Sequence, residues 1–223
     1  MGEKNDYIEN IFIYTYKFEP IDSRMYIIIK NKEALIIDPC ISKDALELLL
    51  KNDVKEILVL LTHEHYDHIS GVNWLKGKFK CKVLCSKKCS KNIEDSNLNL
   101  SKHFSVLFID KDINIRNKVE SIDYICKADE VFEDELELYW QENKIKLVEA
   151  PGHSKGSVCI IFNDNLIFTG DTLVNGFKII TRLPGGSRKD YENITLPFLR
   201  GIPDSTLIYP GHGESDVITK FEY

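Results

Sequence analysis

The stretch that decides the fold is Ile57-Leu58-Val59-Leu60-Leu61-Thr62-His63-Glu64-His65-Tyr66-Asp67-His68. Its aliphatic half has no polar face and is too short for a helix, which predicts a strand buried on both sides. The histidines follow where that strand ends, the place at which open α/β sheets collect ligands and catalytic groups. In an extended segment His63 and His65 point the same way, and a turn at Tyr66 would bring the next carboxylate and imidazole to a neighbouring position. This arrangement favours a site for two metal ions over a site for one. It also argues against solvent-exposed histidines in a polar loop.

Length and composition are those of an ordinary globular chain. It has 223 residues, 43% hydrophobic and 29% charged, which is long enough for a sizeable core and fits a single domain over residues 1–223. The net charge of -6 argues against a general nucleic-acid or anionic-membrane surface and favours a small-molecule partner. The sequence carries no sign of oligomeric state.

The ends and the cysteines predict a cytoplasmic protein. Residues 1–10 carry charge without an apolar core, unlike a secretory signal, and no window approaches the ~20 apolar residues of a membrane span. The six cysteines are expected to stay reduced. Cys81, Cys85 and Cys89 have a spacing that resembles a helical face, so an extra metal site is one interpretation, but free thiols at a core edge and in a loop are favoured.

Hydrophobic periodicity predicts two sheets with helices outside them. The first half favours strands at 10–16, 25–29, 34–37, 57–61 and 82–85, and helices at 43–51, capped by Ser42, and 69–75. The second half favours strands at 137–140, 145–149, 158–162, 166–169 and 206–209, a tight turn at Asn163-Asp164 and a helix at 188–199. Residues 87–119 are polar and predict a short helix and a surface loop, either covering a cleft or merely solvated. The predicted fold is α/β (α+β), a four-layer αββα sandwich.

Three later strands repeat the opening pattern. Each runs into a glycine-containing turn followed by a potential ligand: Pro151-Gly152-His153, Gly170-Asp171 and Pro210-Gly211-His212. Glycine permits the sharp turns that aim a side chain back over strand ends. A single Gly-His pair would be a weak signal, but only His103 among the six histidines lies away from a strand exit.

The ordered set His63-x-His65-x-Asp67-His68, His153, Asp171 and His212 resembles the metallo-β-lactamase-fold hydrolases over nearly the whole chain. Thr169-Gly170-Asp171-Thr172-Leu173, Leu183-Pro184-Gly185-Gly186 and Pro210-Gly211-His212-Gly213 are most similar to the glyoxalase II (hydroxyacylglutathione hydrolase) group. The resemblance implies an αββα sandwich of the metallo-β-lactamase type with a metal pair between the sheets. It also implies that the extra carboxy-terminal glutathione-binding domain of glyoxalase II is missing, since eleven residues follow His212.

The resemblance further implies the ligand set. His63, His65 and His153 would hold one metal, Asp67, His68 and His212 the other, and Asp171 would bridge them. Imidazole and carboxylate suit zinc, iron or manganese; we expect two divalent ions, with zinc first. Asp171 in place of a cysteine argues against a true β-lactamase.

Other polar residues have less certain roles. Asp67 is favoured as a metal ligand, and as a catalytic residue it would orient the nucleophile and accept its proton. Asp38 is either a partner of one of the histidines or a turn cap. Relatives have Arg-Thr-Asp where this chain has Ile180-Thr181-Arg182, so Lys178 and Arg182 are candidates for binding an anionic substrate group, or ordinary surface charges.

The expected function is a metal-dependent hydrolase that uses a metal-bridging hydroxide on a thioester or related small ester. The alternatives are a mononuclear iron persulfide dioxygenase, a lactonase or phosphodiesterase on the same scaffold, and a binding module in which the metals are only structural.

Overall fold

The computed structural model describes residues 3–8, 11–19, 21–108 and 113–223. Within these ranges the first sheet has the spatial order β1 (Glu3–Ile8), β2 (Ile11–Phe18), β3 (Ser23–Lys30), β4 (Glu33–Ile37), β5 (Glu56–Leu60), β6 (Lys80–Ser86), β7 (Glu130–Phe132). The strands from β1 to β4 are antiparallel, and those from β4 to β7 are parallel. The helical crossover between β4 and β5 agrees with the predicted α/β layer.

The second sheet contains β8 (Glu135–Trp140), β9 (Asn143–Glu149), β10 (Val158–Phe162), β11 (Leu166–Gly170), β12 (Leu207–Pro210) and β13 (Asp216–Val217). Strands β9, β11 and β12 run in the same direction, because β10 is antiparallel to both β9 and β11 while β12 is parallel to β11. Their carboxyl ends therefore lie at one edge of this sheet.

Helices cover the outer face of each sheet. They are α1 (Lys43–Lys51), α2 (Tyr66–Ile69), α3 (Val72–Lys76), α4 (Lys87–Asn92), α5 (Ile113–Arg116), α6 (Arg188–Asp190) and α7 (Leu196–Arg200), with a π-helical turn at Tyr191–Thr195 and 3₁₀ turns at Ser101–Phe108 and Ile218–Lys220. Ser42 caps α1 as predicted, its side chain accepting from the Ala45 amide. None of the helices described is long and apolar enough to cross a membrane.

Strand β5 shows why four layers form. Ile57 and Val59 pack into the core between the first sheet and its helices, whereas Leu60 packs into the core between the two sheets. A third cluster, including Ile167 and Leu199, fills the space between the second sheet and α7. The αββα sandwich, predicted from the pattern of strands and helices, is confirmed, and so is the two-sided burial of this strand, predicted from its unbroken aliphatic run.

Some predicted elements were wrong in detail. The expected helix at 69–75 is two short helices, α2 and α3, because the Gly71 amide donates to the Pro39 carbonyl (2.8 Å) and so leaves the helical ladder. Strands β1 and β7 were not predicted. β1 lies at a sheet edge and is rich in charged residues, so it has no hydrophobic signature. Residue 10 of the predicted strand at 10–16 and residues 109–112 of the predicted polar segment at 87–119 lie outside the described residues.

Candidate metal centre

The predicted ligands lie together where the two sheets meet. The loop after β5 carries His63 and His65, helix α2 carries Asp67 and His68, and the carboxyl ends of β9, β11 and β12 lead to His153, Asp171 and His212. The sheets are joined at this edge by the Val158 amide, which donates to the Thr62 carbonyl at 2.7 Å. The other histidine, His103, lies away from the site and contacts Asn97.

Two groups of ligand atoms form at this edge. His63, His65 and His153 place one potential ligand atom each within 4.8 Å of one another, and Asp67, His68 and His212 do the same. A further group of this kind pairs Asp38 with His63 and His68. The His153 Nε2 atom lies 3.0 Å from His65 Nδ1, a separation compatible with two nitrogens that share one ion. No cysteine takes part in such a group among the residues described.

The Asp171 carboxylate lies between the two groups. Its Oδ2 atom is 3.4 Å from His153 Nε2 and 3.6 Å from His212 Nε2, and its Oδ1 atom is 3.4 Å from His68 Nε2. Asp67 Oδ2 contacts only the second group, at 3.1 Å from His68 Nε2 and 3.4 Å from His212 Nε2. Asp171 therefore has the position of a bridge, and Asp67 that of a ligand to one side.

The predicted ligand atoms fit a cation because several of them make no hydrogen bond, although some lie within ion-pair distance of each other. His63 Nε2, His68 Nε2 and Asp171 Oδ1 are buried without a hydrogen bond in the structure. Buried polar atoms are nearly always paired, since an unmet one costs about 1–3 kcal/mol. Unsatisfied lone pairs that converge from both sheets are the arrangement expected of a site built for metal ions.

Hydrogen bonds outside the site fix which ring nitrogen faces inward. His153 Nδ1 donates to the Ile180 carbonyl (2.9 Å) and His212 Nδ1 to the Ile21 carbonyl (3.2 Å). A carbonyl only accepts, so Nδ1 carries the proton and Nε2 keeps its lone pair for a metal. Thr62 donates its hydroxyl to Asp38 and lies 3.1 Å from His63 Nδ1, which imposes the same tautomer on His63.

Asp38 is a partner of the site rather than a turn cap. Its Oδ2 atom lies 2.9 Å from His68 Nδ1 and its Oδ1 atom accepts from the Thr62 amide at 2.7 Å. The side chain is buried, and burial raises its pKa while His68 and Thr62 oppose that rise. From the sequence, Asp38 was either a partner of a histidine or a turn cap. The contacts of the Ile21 and Ile180 carbonyls were not predicted, because a backbone acceptor leaves no sequence signal.

Charge is distributed unevenly across the site. Burial lowers the pKa of His63 well below its usual value and that of His65 to about 3, so both imidazoles are neutral. Burial also opposes charge on His68, but Asp67 and Asp171 outweigh it and raise the His68 pKa. The carboxylates of Asp67 and Asp171 have strongly lowered pKa values despite burial, because of the neighbouring imidazoles. The two anionic carboxylates therefore attract cations to this edge.

Gly170 shows why the second sheet can approach the first so closely. Its φ is +50°, and a Cβ atom there would lie 2.3 Å from Thr62 Oγ1. Neither the backbone conformation nor the contact suits another residue. The absence of a side chain at this position lets Asp171 reach the loop after β5.

The segment of uncertain role after α4 covers the outside of the ligand loop. The Asn99 carbonyl accepts from the Tyr66 amide (2.9 Å), and the Phe104 ring packs on Tyr66 with 5.2 Å between centroids. Tyr124 Oη donates to the Ile69 carbonyl (2.9 Å). A cavity of about 160 Å³ beside Tyr66 is lined in part by Phe18 and Phe104. Tyr66 therefore packs and shapes this wall.

Lys178 and Arg182 lie on the loop that follows Asp171. Both are exposed, and neither forms an ion pair with the side chains described in the structure. They flank Ile180, whose carbonyl holds His153. The structure thus places them on a loop of the metal centre, whereas their role in substrate binding stays a prediction.

Comparison with known proteins gives the family. The sequence model described as the metallo-beta-lactamase superfamily matches residues 19–212. The chain is 28% identical over 205 residues to the probable metallo-hydrolase YqgX of Bacillus subtilis, and the match covers 90% of each chain. It is 29% identical over 211 residues to a hydroxyacylglutathione hydrolase of Dictyostelium discoideum, covering 88% of this chain and 65% of that protein.

A solved structure agrees with the sequence relatives. The BLEG-1 B3 metallo-beta-lactamase superposes with a TM-score of 0.75 and 27% identity, covering 93% of this chain and 95% of the other. The superfamily sequence match, the two packed sheets and the shared edge of histidines and aspartates agree with one another. The chain belongs to the metallo-beta-lactamase superfamily.

Proposed function

We propose that this metal-dependent hydrolase cleaves a thioester or related small ester at a binuclear centre. The observation that carries the proposal is the position of the Asp171 carboxylate, which contacts histidines of both ligand groups. Two complete groups with a shared carboxylate suit two divalent ions. The hydroxyacylglutathione hydrolase relative supports a thioester substrate, although this chain spans only 65% of its length.

The two groups of ligand atoms support the assignment of ligands to each ion. His63, His65 and His153 would hold one ion, and Asp67, His68 and His212 the other, with Asp171 between them. We expect zinc first, with iron or manganese as alternatives for the same donors. When bound, such a pair lowers the pKa of water to about 7 and polarises the scissile carbonyl.

The chain's own side chains perform the remaining tasks. Asp67 is first a ligand, because its Oδ2 atom contacts both His68 and His212; its second task would be to orient the attacking water and accept its proton. Lys178 and Arg182 would bind an anionic group of the substrate from the loop beside His153. The six free cysteines fit a reducing cytoplasm.

A metal analysis followed by an activity screen tests this proposal. Protein purified without added metal should contain close to two ions per chain and should hydrolyse thioesters faster than lactones or phosphodiesters. One iron per chain, with oxygen consumed in the presence of a glutathione persulfide and no thioester cleavage, would instead establish a dioxygenase. Metal-loaded protein inert toward all of these substrates would favour a binding module.

A further inference from the structure

Glu64 is a buried carboxylate that the proposed chemistry does not use. It lies between His63 and His65 in the chain and its side chain is only 1% exposed. Its oxygens accept from two neutral groups, Asn92 Nδ2 at 2.7 Å and Ser154 Oγ at 2.8 Å. No lysine or arginine side chain in the described part of the chain forms an ion pair with it. Burying a charged carboxylate without a cationic partner is unfavourable, because the charge loses its hydration.

The hydrogen bond to Ser154 joins the two halves of one ligand group. Ser154 directly follows His153, so this contact links the ligand loop of the first sheet to the third ligand of the same group. Ser154 is fully buried and is held in turn by Ser157, whose Oγ atom accepts from the Ser154 amide at 3.1 Å and lies 2.9 Å from its hydroxyl. The Glu64 carboxylate is therefore hydrogen-bonded to the residue that directly follows His153.

Packing keeps the Glu64 carboxylate in this place. A Cβ atom on Gly156 would lie 2.4 Å from Glu64 Oε2 and 2.6 Å from the Cys89 amide nitrogen. The Ser86 hydroxyl donates to the Gly156 carbonyl at 3.0 Å and fixes the same turn. These contacts hold the carboxylate inside the protein, away from solvent that could screen its charge.

We infer that Glu64 is a positioning residue of the proposed metal centre, which orients His153 through Ser154 and whose negative charge is balanced by the ion that His63, His65 and His153 hold. The inference rests on that centre and not on the substrate. It gives Glu64 opposite effects on the metal-free and metal-bound protein. Without the ion, the buried charge of Glu64 destabilises the fold. With the ion, the same charge strengthens ion binding.

The variant Glu64→Gln separates charge from shape. Glutamine has the same size and can still accept from Asn92, while its amide can donate to the Ser154 hydroxyl. We expect one zinc ion to bind roughly 10–100-fold more weakly, the range for partners of metal ligands, while the metal-free protein melts at the same or a higher temperature. Zinc affinity would be measured by competition with a chromophoric chelator, and melting by circular dichroism after chelation.

Two further variants decide the interpretation. Ser154→Ala keeps the charge but removes one of its hydrogen bonds, so the metal-free protein should melt lower, opposite to Glu64→Gln. Glu142→Gln removes an equal charge from an exposed residue that pairs with Lys30 and lies in the turn between β8 and β9, at the other end of β9 from His153, and zinc affinity should not change.

Several results would overturn the inference. They are zinc affinity of Glu64→Gln within threefold of the parent, a metal-free Glu64→Gln protein that melts lower or is insoluble, or a metal-free Ser154→Ala protein that melts higher. A parent chain that binds no zinc would overturn the metal centre itself and this inference with it. Thioester hydrolysis can fail without affecting either.

Discussion

The two sheets supply the metal centre in different ways. The first contributes His63, His65, Asp67 and His68 from one short stretch of chain, the loop after β5 and helix α2. The second contributes single residues from separate loops, after β9, β11 and β12. The first set is fixed locally by a strand that runs into α2. The second depends on three strands that share a direction and on a close approach between sheets, so it should be the more sensitive to packing.

The largest effect should come from the residue that connects the two sets. We expect Asp171→Ala to reduce kcat/KM at least 10³-fold and to lower the bound metal from two ions per chain, because it removes the carboxylate between both groups. His65→Ala should lose activity to a similar extent. The measurements are metal content and thioester hydrolysis, with circular dichroism to show that both variants fold. Near-normal activity of either variant would contradict the metal-centre proposal.

The next effect tests the close approach of the sheets. Gly170→Ala would place a Cβ atom 2.3 Å from Thr62 Oγ1 at a φ of +50°, and we expect a loss of about 1–3 kcal/mol in the free energy of unfolding. Metal affinity should fall as well, since Asp171 would be displaced. Urea denaturation with and without zinc measures both quantities.

Gly176 provides the matched control for that variant. Its φ is +75°, yet a Cβ atom added there would meet no described heavy atom within 4 Å. Gly176→Ala therefore isolates the backbone penalty of about 1 kcal/mol from the steric clash. Equal destabilisation by the two substitutions would show that contact between the sheets is not tight at Gly170.

A smaller effect is expected from the partner of a locally fixed ligand. Asp38→Asn removes the carboxylate next to His68 Nδ1 and should lower the affinity for one zinc ion roughly 10–100-fold. Asp53→Asn, an exposed aspartate paired with Lys32 and Lys55, should leave zinc binding unchanged. Chelator competition measures the zinc affinity of both variants. Equal zinc affinities of the two variants would show that Asp38 does not support metal binding.

The smallest effect concerns the loop after Asp171. Lys178→Ala and Arg182→Ala should each raise KM for an anionic thioester by roughly fivefold, the equivalent of about 1 kcal/mol for an exposed ionic contact. The kcat value should stay unchanged, as should KM for an uncharged thioester. An equal rise for both substrates would mean that these side chains shape the loop instead of binding charge.

The structure brings together the residues that the sequence singled out, whereas several elements around them were not predicted. Asp67, Asp171 and the histidines at strand exits carry signals of residue type and position, and the structure brings them to one edge. The break between α2 and α3 was missed because it depends on a hydrogen bond from Gly71 to Pro39, distant in the chain. The tight turn at Asn163-Asp164 was found, since both residues adopt the positive φ that their types tolerate.

The aliphatic run ending at Leu61 determined by itself that a strand is buried on two sides, and the glycine turns determined where further ligands would follow strands. Only the tertiary structure decided that Asp171 lies between the two ligand groups, that carbonyls of Ile21 and Ile180 orient two imidazoles, and that Glu64 reaches Ser154. The physical reason is the sequence separation of the residues that interact. Burial patterns and turn preferences are properties of neighbouring residues, whereas a contact between two sheets is set by strand direction and packing that no local stretch encodes.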